Sequence, residues 1–146
     1  MTAPADTAAD EAATLGAALL DCDAVMPVYR EMGLKVSDFS EPRNRALFSA
    51  MVQMRSANEV IDVLTIARKT GVDMDALNQI LDACAVSTQG PFYAEQVIEH
   101  SRKRRLADLA VVITEQARNG KASADILADI RAGLADFDAA LPAPEE

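Results

Sequence analysis

The last third of the chain constrains the fold most, because it carries two apolar repeats at helical spacing. Apolar residues recur at helical spacing from Tyr93 through Ile113, and Asn119-Gly120 then favours a left-handed helix end. Ser123 can cap a second helix, whose apolar residues step by three and four, as in a helix that packs on another helix. The two repeats predict an antiparallel helical hairpin over residues 91–141.

The first helix of this hairpin is longer than so small a chain needs for its own core. A straight helix from Tyr93 to the turn at Asn119-Gly120 would span roughly 40 Å at ~1.5 Å per residue. It carries the basic turn Arg102–Arg105, with Glu95 and Glu99 before it and Leu106 directly after it. Apolar residues flanked by charges are typical of a specific helical interface, although a solvated helix face has the same charge pattern. We therefore predict that the hairpin meets another chain.

Composition favours an all-α fold. The chain has 146 residues, of which 50% are hydrophobic, so it is large enough to bury a core. Six Gly, six Pro and the absence of alternating β-branched stretches favour helices over sheets. We predict a small globular multi-helix subdomain over residues 11–90, followed by the long antiparallel hairpin. Met1–Asp10 is predicted to be a disordered tail, and residues 142–146 a tail or the start of a linker.

The charge and the cysteines limit the possible functions and compartments. The net charge of −9 argues against a protein that holds nucleic acid through its phosphates, since that binding needs a basic face. Cys22 and Cys84 stand apart, without a C-x-x-C pair or a secretory segment, which indicates the cytoplasm. No apolar run approaches the ~20 residues of a membrane span, so the sequence predicts a soluble protein without a membrane partner.

Short polar side chains divide the globular subdomain into five predicted helices. Each helix is preceded by a Ser or Asp that can accept a hydrogen bond from its first turn, and Pro42 suits the first position of one helix. Ala46, Leu47 and Met51 are expected on the buried face of that helix. The helices are predicted at about 11–20, from 22 through Tyr29, from 42 to 55, at 63–69 and at 74–84, with caps Asp10, Asp21, Ser40, Asp62 and Asp73.

Residues 65–81 suggest an alternative function, because their Ala, Gly-Val and Leu spacing is similar to that of a helix-turn-helix DNA reader. The second helix of the pair would begin with Asp73-Met74-Asp75, whose carboxylates repel phosphates. Only Asn78 and Gln79 could then read bases. The charge pattern therefore argues against DNA recognition by this segment.

The sequence carries no catalytic or metal-binding constellation. His100, the only histidine, has no Ser or Cys nucleophile placed beside it by the sequence, and we expect it to be a solvated surface residue. Gly120-Lys121 lacks the Ser or Thr and the first Gly of a phosphate-binding loop. Asp21 and Asp23 are not followed by further ligands at metal spacing. We expect a chain that is not an enzyme and has no cofactor or metal.

Four motifs follow one another along the chain. Residues 11–21 read E-A-A-T-L-G-A-A-L-L-D, and residues 39–51 contain F-x-x-x-R-N-R-A-L-F-S-A-M. Residues 61–65 read I-D-V-L-T, and residues 92–106 contain F-Y-A-E-Q-V-I-E followed by R-R-L. In this order and spacing the motifs resemble the N-terminal domain of the DnaB-family bacterial replicative hexameric helicases, over about residues 10–140.

Two positions depart from the family's patterns. The second motif of the family usually has His at the position of Asn44, and the third usually has Pro at the position of Val60. The loop over residues 85–90 also differs from the family's usual form. These departures leave the fold intact but weaken any assignment of a particular partner.

The resemblance implies a non-catalytic collar above a motor ring, in which hairpins pair and the C-terminal domain of primase docks. The implied partners are a second copy of the chain and either primase or a helicase loader. If the apolar stripe of the hairpin were instead satisfied within one chain, the domain would be monomeric. The implied pairing surface comprises Arg104, Arg105, Leu106, Leu109, Ile113, Leu127, Ile130, Leu134 and Phe137.

The sequence leaves two forms of this function open. The sequence contains no Walker A loop of the family's ATPase domain, so the chain is expected to be either a fragment of a helicase or a free-standing relative. A free-standing relative would act as an adaptor that binds a helicase or its loader. Either form is expected to be non-catalytic.

Overall fold

The computed structural model describes residues 5–139, and within this range the chain is helical without a strand. The predicted all-α fold class is therefore confirmed. The described residues divide into two compact units between Ser101 and Arg102, later than the predicted boundary near residue 90. The helices are α1 Ala5–Leu20, α2 Cys22–Met32, α3 Pro42–Ser56, α4 Val63–Thr70, α5 Met74–Asp82, α6 Gly90–Arg118 and α7 Ser123–Ala139, with short 3₁₀ helices at Val36–Asp38 and Ser87–Gln89.

Helix α1 begins at Ala5, earlier than the predicted start at Glu11. Asp10 lies inside the helix, so its predicted role as the helix cap is wrong. The predicted tail over residues 1–10 is helical from Ala5 onward, while residues 1–4 and 140–146 lie outside the described residues. The burial of Thr7 gives the physical reason, because this side chain packs against the unit while its neighbours Asp6 and Ala8 face water.

Asp10 and His100 join the two ends of the globular unit. The Nε2 atom of His100 lies 3.0 Å from the Oδ2 atom of Asp10, and the two side chains are only 26% and 20% exposed. The expectation of a solvated surface His100 is therefore wrong. A contact between residues 90 positions apart holds the ring of His100 at α1.

Helix α1 is the central element of the first unit. Every residue from Ala13 to Leu19 is buried, so this stretch of the helix is enclosed on all sides and not only along one stripe. Gly16 faces the backbone carbonyl of Ile80 in α5, and a Cβ at residue 16 would overlap that oxygen. The absence of a side chain thus lets α5 cross α1 at short range.

Tyr29 connects α2 to α1. Its hydroxyl donates a hydrogen bond of 2.7 Å to the carbonyl oxygen of Thr14, and burial raises its pKa well above the usual value. A Cβ at Gly90 would lie 2.5 Å from the hydroxyl oxygen of Tyr29 and 2.6 Å from the Cβ of Ala17. Gly90 is therefore needed where the chain enters α6 beside this ring.

The carboxylate of Glu11 is fully buried and organises the approach to α3. It accepts hydrogen bonds from the backbone N–H of Ser40 at 3.0 Å, from the hydroxyl of Ser40 at 2.5 Å and from Nδ2 of Asn44 at 3.0 Å. The N–H and the hydroxyl of Ser40 are therefore both used in hydrogen bonds to Glu11. The residue at the N-cap of α3 is Glu41, whose side chain makes no capping bond, so the predicted cap at Ser40 is wrong.

The remaining caps follow the sequence closely. Asp21, Asp62 and Asp73 each accept a hydrogen bond from a backbone N–H in the first turn of their helix, as predicted. Two details differ: α5 ends at Asp82 and not at residue 84, and Ala46 is exposed although it was expected in the core. Ala46 faces water because α3 buries the side that carries Leu47, Phe48 and Met51.

Candidate protein–protein interface

The second unit contains the end of α6 and helix α7. Helix α6 ends at Arg118, and Gly120 adopts a φ of 77°, the left-handed conformation predicted for the turn. The carbonyl of Ala122 accepts the N–H groups of Asp125 and Ile126, which places Ala122 at the cap position of α7. Ser123, the predicted cap, is the first residue of the helix instead.

Polar contacts join the two helices near the turn. Lys121 forms an ion pair with Asp129, and Nε2 of Gln116 donates to the same carboxylate at 3.3 Å. The hydrogen bond and the positive charge of Lys121 lower the pKa of Asp129 below its usual value. These contacts connect α6 to α7 at one end of the hairpin.

Apolar and aromatic contacts continue the pairing away from the turn. A Cβ at Gly133 would lie 3.3 Å from Cδ1 of Leu109, so Leu109 packs onto the backbone of α7 at this glycine. Further along, the guanidinium carbon of Arg105 lies 5.4 Å from the ring centroid of Phe137, within the range of a cation–π interaction. The hairpin is therefore closed within one chain along most of its length.

The predicted interface residues divide into two groups by exposure. Leu109, Ile113, Ile130 and Phe137 are half-buried, as is Arg104, while Arg105 is exposed. Leu106, Leu127 and Leu134 remain 45%, 50% and 40% exposed. None of residues 102–137 is fully buried, so this unit has no enclosed core of its own.

The three exposed leucines lie on one flank of the hairpin. Steps of ~100° per residue place Leu106 about 60° beyond the inward Leu109 on α6, and Leu134 about 100° beyond the inward Gly133 on α7. Leu127 precedes Leu134 by seven residues and shares its side of the helix. Because the two helices run in opposite directions, both rotations lead to the same flank. We name Leu106, Leu127 and Leu134 the leucine flank.

The sequence prediction missed several residues that shape the hairpin. Gln116 and Asp129 form a hydrogen bond between the two helices, and Gly133 leaves room for the side chain of Leu109 to pack on α7. In the sequence, Gly133 stands between the apolar residues Ile130 and Leu134, and this glycine could have indicated a close contact between the helices. Val112 was part of the predicted apolar repeat but is 46% exposed, and Val111, which was not part of it, is 57% exposed.

The described residues also bear on the other kinds of site considered from the sequence. Within residues 5–139, no three His, Cys, Asp or Glu side chains gather as metal ligands. None of the described helices combines the length and apolarity needed to cross a lipid bilayer. Helices α4 and α5 do form a pair around Gly71, with Asp73 capping α5 and Asp75 in its first turn, so the helix expected to face DNA begins with two carboxylates.

Comparison with known proteins identifies the fold of most of the chain. The family model of the DnaB-like helicase N terminal domain matches residues 3–99. Among solved structures, the chain is similar to the N-terminal domain of DnaB helicase from Mycobacterium tuberculosis, with a TM-score of 0.80 and 21% identity. The match covers 87% of this chain and 95% of that one. No curated protein matches the sequence.

Proposed function

Because the chain belongs to the DnaB-like helicase N-terminal domain family, we propose that it is a collar domain of a replicative DNA helicase that associates protomers and receives primase. The matched region is that of an N-terminal domain, so this role is an assembly role without catalysis. The cytoplasmic location indicated by the cysteine pattern is part of the same proposal.

The leucine flank is the observation that carries the assembly role. The hairpin satisfies its inner contacts within one chain, yet Leu106, Leu127 and Leu134 stay about half exposed on a single side. Scattered exposed leucines are common on proteins, whereas a row of them along a two-helix face is typical of an association surface. A second copy of the same flank, related by a two-fold axis, would cover it and form a four-helix contact.

The energy available from this contact suits a reversible dimer. Covering the exposed half of a leucine is worth on the order of 1 kcal/mol, and a two-fold contact covers each of the three leucines twice. The loss of translational and rotational entropy on association costs several kcal/mol, so the expected dimer depends on protein concentration.

The test of this role is the mass of the chain in solution across a concentration series. We expect the wild-type mass to rise above the monomer mass of 15.6 kDa. Leu127→Glu/Leu134→Glu should return it to the monomer, because both carboxylates would be buried in the contact. Ala128→Glu/Ala132→Glu adds the same charge to exposed positions of α7 away from the flank and should leave the mass unchanged. A wild-type mass that stays at the monomer value throughout would refute protomer association through this hairpin.

Primase docking, with a helicase loader as the alternative partner, rests on family membership. Its test is a second mass series in which the C-terminal domain of primase from the same organism is added. We expect a heavier complex with the wild-type chain, and a mass equal to the separate components would contradict docking. Repeating the series with the monomeric double variant separates docking from self-association.

A further inference from the structure

An open groove of about 350 Å³ lies on the globular unit, between the end of α3 and helix α4. All of its lining residues belong to the globular unit, and one of them, Met54, is also a core residue. We propose that this groove binds an acidic peptide segment of a partner protein, with an aliphatic side chain in the groove and carboxylates at its basic rim. The groove is lined by Met54, Glu59, Val60, Thr65, Arg68 and Lys69.

The apolar part of the groove is suited to one aliphatic side chain. Met54 is only 4% exposed and forms the floor, while Val60 is 72% exposed, the highest value among the large apolar side chains that the structure describes. Leu64, 51% exposed, lies one helical turn before Arg68 on α4. An aliphatic group placed beside Val60 would remove apolar surface from water on both partners.

The rim supplies two cations, Arg68 and Lys69. Arg68 and Lys69 are exposed in the last turn of α4, and neither forms an ion pair with any residue that the structure describes. The hydroxyl of Thr65 is already used in the capping box with Asp62. Both cations complement the carbonyl end of α4, which explains a positive charge there but not the apolar space beside it.

The local charge favours a carboxylate ligand over a nucleic acid. The lining contains two cations and one carboxylate, that of Glu59, and so carries a net charge of +1 in a chain of net charge −9. A short acidic peptide needs only the adjacent pair of cations. A polyphosphate would need a longer basic track, and it would meet the acidic surface of the whole chain. At physiological ionic strength, salt largely screens charges that lie more than ~8 Å apart. The two cations at the rim therefore dominate the electrostatic interaction with a short ligand.

A selection from short random peptides displayed on phage, made against the full chain, tests the proposal. Recovered peptides are synthesised, and their affinities are measured by fluorescence anisotropy. We expect peptides that combine Asp or Glu with an adjacent Leu, Ile, Val or Met. Their affinity should fall about tenfold or more on Arg68→Glu/Lys69→Glu, and it should weaken as salt is added.

A matched control changes the same number of charges elsewhere on the unit. Arg30 and Arg43 are exposed on α2 and α3, and Arg30→Glu/Arg43→Glu should alter the affinity by no more than roughly twofold. Val60→Asn should weaken binding without changing the charge, and circular dichroism melting verifies that each variant is folded. A selection without binders overturns the proposal. Peptides that bind both double variants equally, or that depend on Arg68 and Lys69 without carrying carboxylates, also overturn it.

This groove does not depend on the assembly role proposed above. The monomeric Leu127→Glu/Leu134→Glu variant retains α3 and α4 and should bind the recovered peptides with unchanged affinity. Failure of the groove would thus leave self-association intact, and failure of self-association would leave the groove intact.

Discussion

The backbone carbonyl of Ile80 faces Gly16 so closely that a Cβ at residue 16 would overlap it. This relationship fixes the distance between α1 and α5. The atom in the way belongs to the backbone, so it cannot move aside as the end of a flexible side chain can. A residue other than glycine would therefore force the two helices apart.

We expect Gly16→Ala to destabilise the globular unit by about 2–3 kcal/mol, since overpacking outweighs the gain of ~1 kcal/mol in helix propensity. Gly133→Ala is the matched control, because its Cβ would meet only the movable end of Leu109, at 3.3 Å. It should be neutral or slightly stabilising. Urea unfolding at one fixed protein concentration measures both variants. A Gly16→Ala chain as stable as wild type would show that α5 can shift without loss.

Glu11→Gln should cost about 2–4 kcal/mol of unfolding free energy, because it leaves buried donors without an acceptor. The carboxylate accepts from the N–H and the hydroxyl of Ser40 and from Nδ2 of Asn44. A glutamine offers one acceptor oxygen, and its amide group would face these donors. Glu31→Gln makes the same change at an exposed position of α2 and should stay within about 0.5 kcal/mol of wild type. Equal unfolding midpoints for the two variants would contradict a structural role for Glu11.

The Glu11 contact also shows where prediction from the sequence fails. Asp21, Asp62 and Asp73 cap the helices that directly follow them, and such local patterns were predictable. Ser40 has the same local pattern but bonds to a carboxylate 29 residues earlier in the chain. No rule based on neighbouring residues can detect that competition, because it arises from tertiary packing.

The sequence predicted which residues of the hairpin are apolar, but not the direction in which each of them faces. The three-and-four spacing identified the apolar residues of α6 and α7, together with the turn at Gly120. A wide apolar stripe, however, contains both residues that face the paired helix and residues that face solvent at the edge of the stripe. Only the contacts of Leu109 with Gly133 and of Arg105 with Phe137 separate the inner residues from Leu127 and Leu134.

Tyr29 gives the unit a dependence on alkaline pH. Burial raises its folded-state pKa above the value of about 10 expected in the unfolded chain, so the stabilisation is complete below pH ~10 and is lost as the pH rises further. The lost stability reaches at most ~1.4 kcal/mol per pH unit for this one group. Tyr29→Phe should cost about 1 kcal/mol at pH 8, where it removes the bond to Thr14.

The comparison of wild type with Tyr29→Phe isolates this titration from other alkaline effects. Urea unfolding measured between pH 8 and pH ~11.5 should show the difference between the two proteins shrinking above pH ~10. Tyr93→Phe is the control, since that ring is only half-buried. A difference that stays constant over the whole range would mean that Tyr29 does not control the alkaline loss.

Ile130 and Leu134 separate the two roles of the hairpin. Ile130 is half-buried among the inner residues, whereas Leu134 is 40% exposed on the leucine flank. Ile130→Asp should disturb the pairing of α6 with α7 and thereby lower both the helical signal and the solution mass. Leu134→Asp should lower the mass alone, because its carboxylate remains in water in the monomer and is buried only in the dimer. Circular dichroism and light scattering on the same samples measure the two effects. Loss of helicity in Leu134→Asp as large as in Ile130→Asp would place Leu134 inside the hairpin, and the exposed flank would then not be an association surface.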